Sequence, residues 1–481
     1  MTTTKIIAQN TAVQVIGKAI STLLGLFAVG IMTRTLGAEK FGWYATATGF
    51  LQFIGILSDF GFTAITAKML AENTFHSKHL LSNLFTWRFI TAILFQGIAP
   101  LSILLFPYPT PIKMAVLIMS ASFFAISLNQ IFIGYYQSSL KMSTQITGEL
   151  LGRLMLVAGL FLVSIKQYGF LPAMLAITTA SIAYTGYLSY KSPGVKFEID
   201  RTISKDIFQK IWPTAITVIC NVFYLQGDRV ILPLYVSQTD MAIYSAAYRV
   251  LDIVIQGAWM IMGILMPLVT FAWSKKILDE FRKKYQMSLD LVSLVLIPIM
   301  FGIFALAQPI MNLIGGKEFI HGRPIMQLLS IAILGIAFGN IFGYLALAIN
   351  RQKQAIWIYF SDAILTTILY FILIPRYGIY GAAIAAIFSE FYAGIGLMLL
   401  SNYYAGFSPH FKTVFKIVLA SGIMSWCVQA IFGYVSPIIA IPHFDLFISI
   451  LAGIIIYALL VLLLRIISKK TIQEVFFKSA V

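Results

Sequence analysis

Asp228 and Arg229 stand side by side in WPTAITVICNVFYLQGDRVILPLYV, residues 212–236, a stretch that is otherwise apolar. A helix of about 25 residues rising about 1.5 Å each reaches roughly 37 Å, enough to cross a hydrocarbon core of about 30 Å. Neighbouring positions on a helix point roughly 100° apart, so this acid and base do not neutralise each other and each needs a partner on another helix or in water. Other apolar stretches are interrupted in the same way, by the bases Lys18, Arg88, Arg153 and Arg249 and by the acids Asp59, Glu149, Asp252, Asp362 and Glu390. An ionisable group at the centre of a membrane helix costs about 2.5–3.5 kcal/mol on insertion scales, so these groups must face protein, water or one another.

Two kinds of chemistry are open to such groups. Arginine and lysine hold a polyanion, arginine with a planar fork of donors. A carboxylate shielded from water takes up and releases a proton or holds a sodium ion. Lys18, Arg88, Arg153, Arg229 and Arg249 are accordingly the candidate substrate-binding bases, and Asp59, Asp228, Asp252, Asp362 and Glu390 the candidate coupling or cavity acids. Structural alternatives stand beside these roles. Glu149 and Arg153 are four apart with the acid first, and Arg249 and Asp252 are three apart, spacings that favour pairs within one helix. Lys18 either snorkels to the interface or pairs with Asp59 at similar depth. Arg229 faces a cavity with Asp228 tied to a neighbouring helix, or the two roles are exchanged.

With 59% hydrophobic and 11% charged residues, the chain is outside the range of soluble globular proteins. The net charge of +16 belongs to topology signals and anionic-lipid contacts rather than to nucleic acid. Cys220 and Cys427 both lie in apolar runs and read as small buried thiols. No Walker loop, HExxH, GxSxG or CxxC is present, so no cofactor or catalytic centre is expected. His76 and His79 are three apart but have no further nearby ligand, so no metal site is expected. The aromatic residues, 14% of the chain, suit interfacial belts and core packing better than sugar stacking.

Fourteen apolar spans are expected. Six precede the long polar segment 191–206: 10–33, 42–65, 80–106, 113–139, 144–164 and 169–190. Eight follow it: 212–236, 242–273, 289–314, 324–349, 355–374, 381–400, 414–434 and 446–466. The greater part of the 34 Lys and Arg residues falls in the alternate loops that share a side with both termini, which places the termini in the cytoplasm. Pro193-Gly194 within the polar segment predicts a flexible cytoplasmic linker. The two halves also echo each other. A shift of 200 lays Gly42 and Tyr44 on Ala242 and Tyr244, and a shift of 209 lays Gly134-Tyr135 on Gly343-Tyr344 and Tyr168-Gly169 on Tyr377-Gly378. Each shift carries a span onto the one six places later, the pattern of parallel repeats.

The opening IAQNTAVQVIGKAISTLLGLFAVGIMTRTLGAEKFGWYATATGFLQFIGILSDFGF, with NQIFIGYYQSSLKM (129–142), GDRVILPLYVSQTDMAIYSAAYRV (227–250) and PRYGIYGAAIA (375–385), resembles the polysaccharide transporters, the oligosaccharide flippases of the multidrug/oligosaccharidyl-lipid/polysaccharide exporter superfamily. The resemblance implies an all-α integral membrane protein of about 14 transmembrane helices. Its parts would be an N-terminal lobe at 1–190, a cytoplasmic linker at 191–207, a pseudo-symmetric six-helix lobe at 208–402, and two further helices with a cytoplasmic tail at 403–481. It implies alternating-access flipping of undecaprenyl-pyrophosphate-linked oligosaccharide in the cytoplasmic membrane, coupled to an ion gradient. The expected partners are that lipid-linked oligosaccharide, membrane lipids, a polysaccharide polymerase and a chain-length regulator. A drug or cation exporter of the same superfamily, and a membrane polymerase or glycosyltransferase, are the competing readings. Five intramembrane bases favour an anionic cargo over a cationic one, because like charge repels.

Overall fold

The computed structural model describes residues 3–72, 74–438, 441 and 443–466. The described residues are helical with short connections. In chain order the helices are α1 (Thr3–Leu57), α2 (Phe62–Glu72), α3 (Ser77–Ser102), α4 (Thr110–Ser138), α5 (Met142–Lys166), α6 (Phe170–Lys191) and α7 (Arg201–Ile231). They continue with α8 (Gln238–Ser274), α9 (Leu278–Ala305), α10 (Ala307–Gly315), α11 (Arg323–Ala348), α12 (Gln352–Ala405), α13 (Lys412–Val435) and α14 (Phe444–Leu463). These are not the fourteen spans in a one-to-one sense. Eleven helices among the described residues are long and apolar enough to cross a membrane, while α2 and α10 are short. Residues 467–481, where a cytoplasmic tail is expected, and the side chain of Cys220 lie outside the described residues; Cys427 is a free thiol, partly buried.

Two of the long helices are interrupted. In α1 the backbone leaves helical geometry at Gly37 (φ 75°, ψ 172°) and in α12 at Gly378 (φ 55°, ψ −131°). The apolar part of α1 spans 42 residues and α12 has 54. At about 1.5 Å per residue those lengths are roughly 63 and 81 Å, each about twice a hydrocarbon thickness or more. The stretch expected at 42–65 ends early: α1 stops at Leu57, Phe60 and Gly61 take positive φ in succession, and α2 begins at Phe62. The backbone of Gly169, between α5 and α6, adopts φ 88° and ψ −157°, a region nearly closed to any residue with a Cβ. Gly378 is its counterpart under the 209-residue shift, so the internal echo in sequence is matched by an echo in backbone conformation.

The chain forms two compact units. One comprises Met1–Ala242 with Tyr370–Gly378, the other Ile243–Leu369 with Ile379–Val481. In the first unit α5 packs on α6 through small residues. A Cβ on Gly152 would sit 2.9 Å from the Tyr184 Cβ, and one on Gly148 would sit 2.9 Å from the Tyr187 ring. This is the close approach of helix backbones that small residues four apart permit in membranes. In the second unit Gly335, Gly339 and Gly394 bring α11 against the later part of α12 in the same manner, with a Cβ on Gly394 only 2.9 Å from the Gly335 carbonyl.

The polar segment after α6 is bound, which corrects the expectation of a flexible linker. The amides of Lys196, Glu198 and Asp200 donate to Ser82 Oγ (3.3 Å), Thr86 Oγ1 (2.9 Å) and Asn83 Oδ1 (2.7 Å) on α3. Alternate amides of an extended chain point the same way, and α3 meets them with a polar stripe at 82, 83 and 86, spaced to share one helix face. Phe197 packs on Phe85 and Phe89, with ring centroids 5.8 and 4.9 Å apart. Asp200 then caps α7 by accepting from the amides of Thr202 and Ile203. Trp87 donates to Ser204 across 2.9 Å and fixes the first turn of α7.

Candidate functional site

In the first unit the intramembrane charges fall into three groups. Arg88 on α3 is 2% exposed. Its guanidinium donates to the carbonyls of Ser58 (2.6 Å) and Ser127 (3.1 Å) and meets Asp59 Oδ1 at 3.2 Å. Asp59 also accepts from Thr63 at 2.7 Å. Arg88 therefore ties the break after α1 to α3 and α4, and its planar fork is spent on protein acceptors.

The second group joins α1 to α5. Lys18 Nζ lies 3.1 Å from Glu149 Oε1, the Ser21 hydroxyl donates to the same oxygen at 2.6 Å, and Arg153 Nε donates to Ser21 Oγ at 3.4 Å. Two pairings expected from spacing are corrected here. Lys18 pairs with Glu149 rather than Asp59, and Glu149 is bonded across to α1 instead of along α5 to Arg153. The cause is geometric. Gly17 lies hard against Ile146, where a Cβ would sit 2.2 Å from the Ile146 Cγ2, so the α1 and α5 backbones come close enough for cross-helix bonds to prevail.

The third group is Asp228 and Arg229, near the end of α7. Asp228 is 1% exposed and Arg229 half-buried. Arg229 Nη1 donates to Gln52 Oε1 on α1 across 2.9 Å. Gly49 makes room for this: a Cβ there would lie 3.0 Å from the Cβ of Arg229. One turn of α7 is thus met from two directions, at Arg229 by α1 and at Gly227 by the ring of Tyr370, which a Cβ on that glycine would approach to 3.3 Å.

In the second unit Asp362 is fully buried and accepts from Thr366 at 2.9 Å and Ser389 at 3.0 Å. Glu390, next to Ser389, is pressed against Gly335, and Tyr359 stands beside both carboxylates. Arg249 and Asp252 are half-buried on α8. The structure thus gathers Arg88 with Asp59, Lys18 with Arg153, Asp228 with Arg229, and Asp362 with Glu390. Ser21, Gln52, Thr366 and Ser389 do not stand out in the sequence. Only Thr366 carries a signal there, its position four residues after Asp362.

The family model described as polysaccharide biosynthesis protein matches residues 7–273. The "Probable low-salt glycan biosynthesis flippase Agl15" of Haloferax volcanii is 22% identical over 479 residues, covering 95% of each chain. The "Succinoglycan biosynthesis transport protein ExoT" of Rhizobium meliloti is 24% identical over 339 residues, 68% of this chain and 66% of that one. Among solved structures, the lipid II flippase MurJ in its inward closed conformation superposes with a TM-score of 0.75 at 18% identity, over 94% of this chain and 98% of that one. The fold is shared with that flippase, and the eleven candidate spans make the chain a multi-pass membrane protein.

Proposed function

We propose that this chain, which belongs to the polysaccharide biosynthesis protein family, is a flippase that carries a lipid-linked glycan from one leaflet of a membrane to the other. The observation that carries the reading is the end-to-end match to a glycan-biosynthesis flippase, 95% of both chains. The intramembrane bases supply the matching chemistry, since a lipid-linked glycan joins sugar to lipid through phosphate and arginine and lysine are its natural holders. In the finer reading the cargo is an undecaprenyl-pyrophosphate-linked oligosaccharide, moved by alternating access across the cytoplasmic membrane with both termini in the cytoplasm. Counting both parts of α1 and α12 and adding α7 gives fourteen crossings. Lys18, Arg153, Arg229 and Arg249 serve the headgroup, with Arg88 supporting the site from the protein side. An ion gradient acts through Asp362 and Glu390, with Asp228 and Asp252 as further cavity acids and Asp59 as the partner of Arg88. A polymerase and a chain-length regulator receive the product on the far side, and the chain itself performs no covalent step.

The test is transfer of a fluorescent lipid-linked oligosaccharide between leaflets of proteoliposomes, with and without an imposed proton or sodium gradient. Protein-dependent transfer accelerated by one gradient is expected. A folded protein that leaves the probe in place while expelling an organic cation dye would replace this reading with the drug-exporter one.

A further inference from the structure

Lys18 and Arg153 differ from Arg88 in what they have left to give. Arg88 is enclosed by three protein acceptors. Arg153, among the described residues, has the Ser21 hydroxyl at 3.4 Å as its acceptor, and the Lys18 side chain is 41% exposed whereas that of Glu149 is 12% exposed. The base is therefore the more accessible member of the pair. Gln145, Glu149 and Arg153 are four apart on one face of α5, a polar row climbing about 12 Å from Gln145 near the start of the helix. Glu149 Oε1 is the node, holding Lys18 directly and Arg153 through Ser21.

We propose that Glu149 is an internal substitute for the substrate's phosphate: it occupies Lys18 and the Ser21–Arg153 arm until a phosphate-bearing headgroup displaces it, and it takes up one proton in the exchange. This rests on the flippase reading. Once the phosphate oxygens take Lys18 and Arg153, Glu149 is a carboxylate without a counter-charge inside the membrane, a state far costlier than the neutral acid. A proton from water bonds to its oxygen, the Ser21 hydroxyl remains as a neutral partner, and the proton leaves when the headgroup departs and Lys18 returns. The other groups facing Glu149 do not substitute for this. α6 brings Tyr184 to Glu149, with Tyr187 against the neighbouring Gly148, α5 itself brings Arg153, and Lys113, the charged residue of α4, lies at that helix's opposite end. Headgroup binding and proton uptake are thereby one event.

The experiment is calorimetric binding of farnesyl pyrophosphate to the solubilised full chain in two buffers of different ionisation enthalpy, which counts protons, on wild type and Glu149→Gln. The expected result is one more proton taken up by wild type than by the variant. The variant, lacking the internal competitor, should bind roughly tenfold more tightly at alkaline pH and lose most of its pH dependence. Equal proton counts in two proteins that both bind the probe would overturn the proposal and leave the flippase reading standing. Absence of binding by wild type would overturn both. If Glu149→Gln does not fold, phosphorus NMR of the bound probe supplies the probe's own protonation, and a wild-type count no larger than that overturns the proposal.

Discussion

The amide of Asp200 donates to the side chain of Asn83 across 2.7 Å, and with it the segment between α6 and α7 becomes part of the first unit's packing. Replacing Asn83 by Ala strands an amide at a half-buried seam, at a cost of about 1–3 kcal/mol. The expected outcome is faster tryptic cleavage at Lys196 with little change elsewhere, read by limited proteolysis. Chains severed at Pro193-Gly194 and co-expressed should still associate, because the seam joins residues on either side of the cut, α3 before it and 196–200 after it.

Arg88 and Arg153 should separate on substitution. Arg88→Gln leaves Asp59 without its charged partner and two carbonyls without their guanidinium donor, and breaking a buried charge pair costs about 3–5 kcal/mol, so loss of folded protein in detergent is expected. Arg153→Gln should leave the melting temperature within a few degrees of wild type and slow transfer in proteoliposomes. Equal melting temperatures for the two variants would contradict the assignment.

Asp362→Asn keeps the shape and one acceptor for Thr366 and Ser389, so the second unit should stay folded. With Asp362 as the coupling acid, transfer by this variant should lose the greater part of its response to the gradient while the basal rate persists, Glu149 being intact. The comparison is made in the same vesicles with the gradient imposed and collapsed.

The orientation is checked with reporters active only outside the cytoplasm. Fusions after Lys205 or Lys283 should be silent and a fusion after Lys317 active. The reverse pattern at any of these sites would break the assignment.

At the end of α2, Lys210 donates to Glu72 across 2.8 Å. That bond, aided by the charges of Lys210 and Lys68, holds the Glu72 carboxyl below its ordinary 4.5 and, with Asp206, holds the Lys210 ammonium above its ordinary 10.5. A lowered acid stabilises the fold above its ordinary value and loses that contribution as pH falls through the lowered one. Lys210→Gln should therefore reduce stability slightly at neutral pH, and the difference from wild type should shrink as pH falls below 4.5. Thermal melts across that range decide it.

Helix positions and the membrane class are legible in the sequence because an apolar run of about twenty residues has few alternatives. The glycine breaks are marked by LGAEKFGW and YGIYG, although the early end of α1 at Leu57 is not: Phe60 gives no hint of a positive φ. The charges are visible but their partners are not. Lys18 meets Glu149, separated by 131 residues, and nothing local to either residue encodes the closeness of Gly17 to Ile146. The bound segment 196–200 reads as free because the nearby Pro193-Gly194 reports local freedom, while the amide acceptors that remove it lie on α3.

The seam between α3 and the segment 196–200 also sets an order of events at the ribosome. Ser82, Asn83 and Thr86 are synthesised more than a hundred residues before the amides that will occupy them, and every residue of the seam precedes the second unit. The nascent N-terminal half can thus close its own polar edge while the second unit is still untranslated, and a ribosome stalled once α7 has emerged should already hold a protease-resistant product.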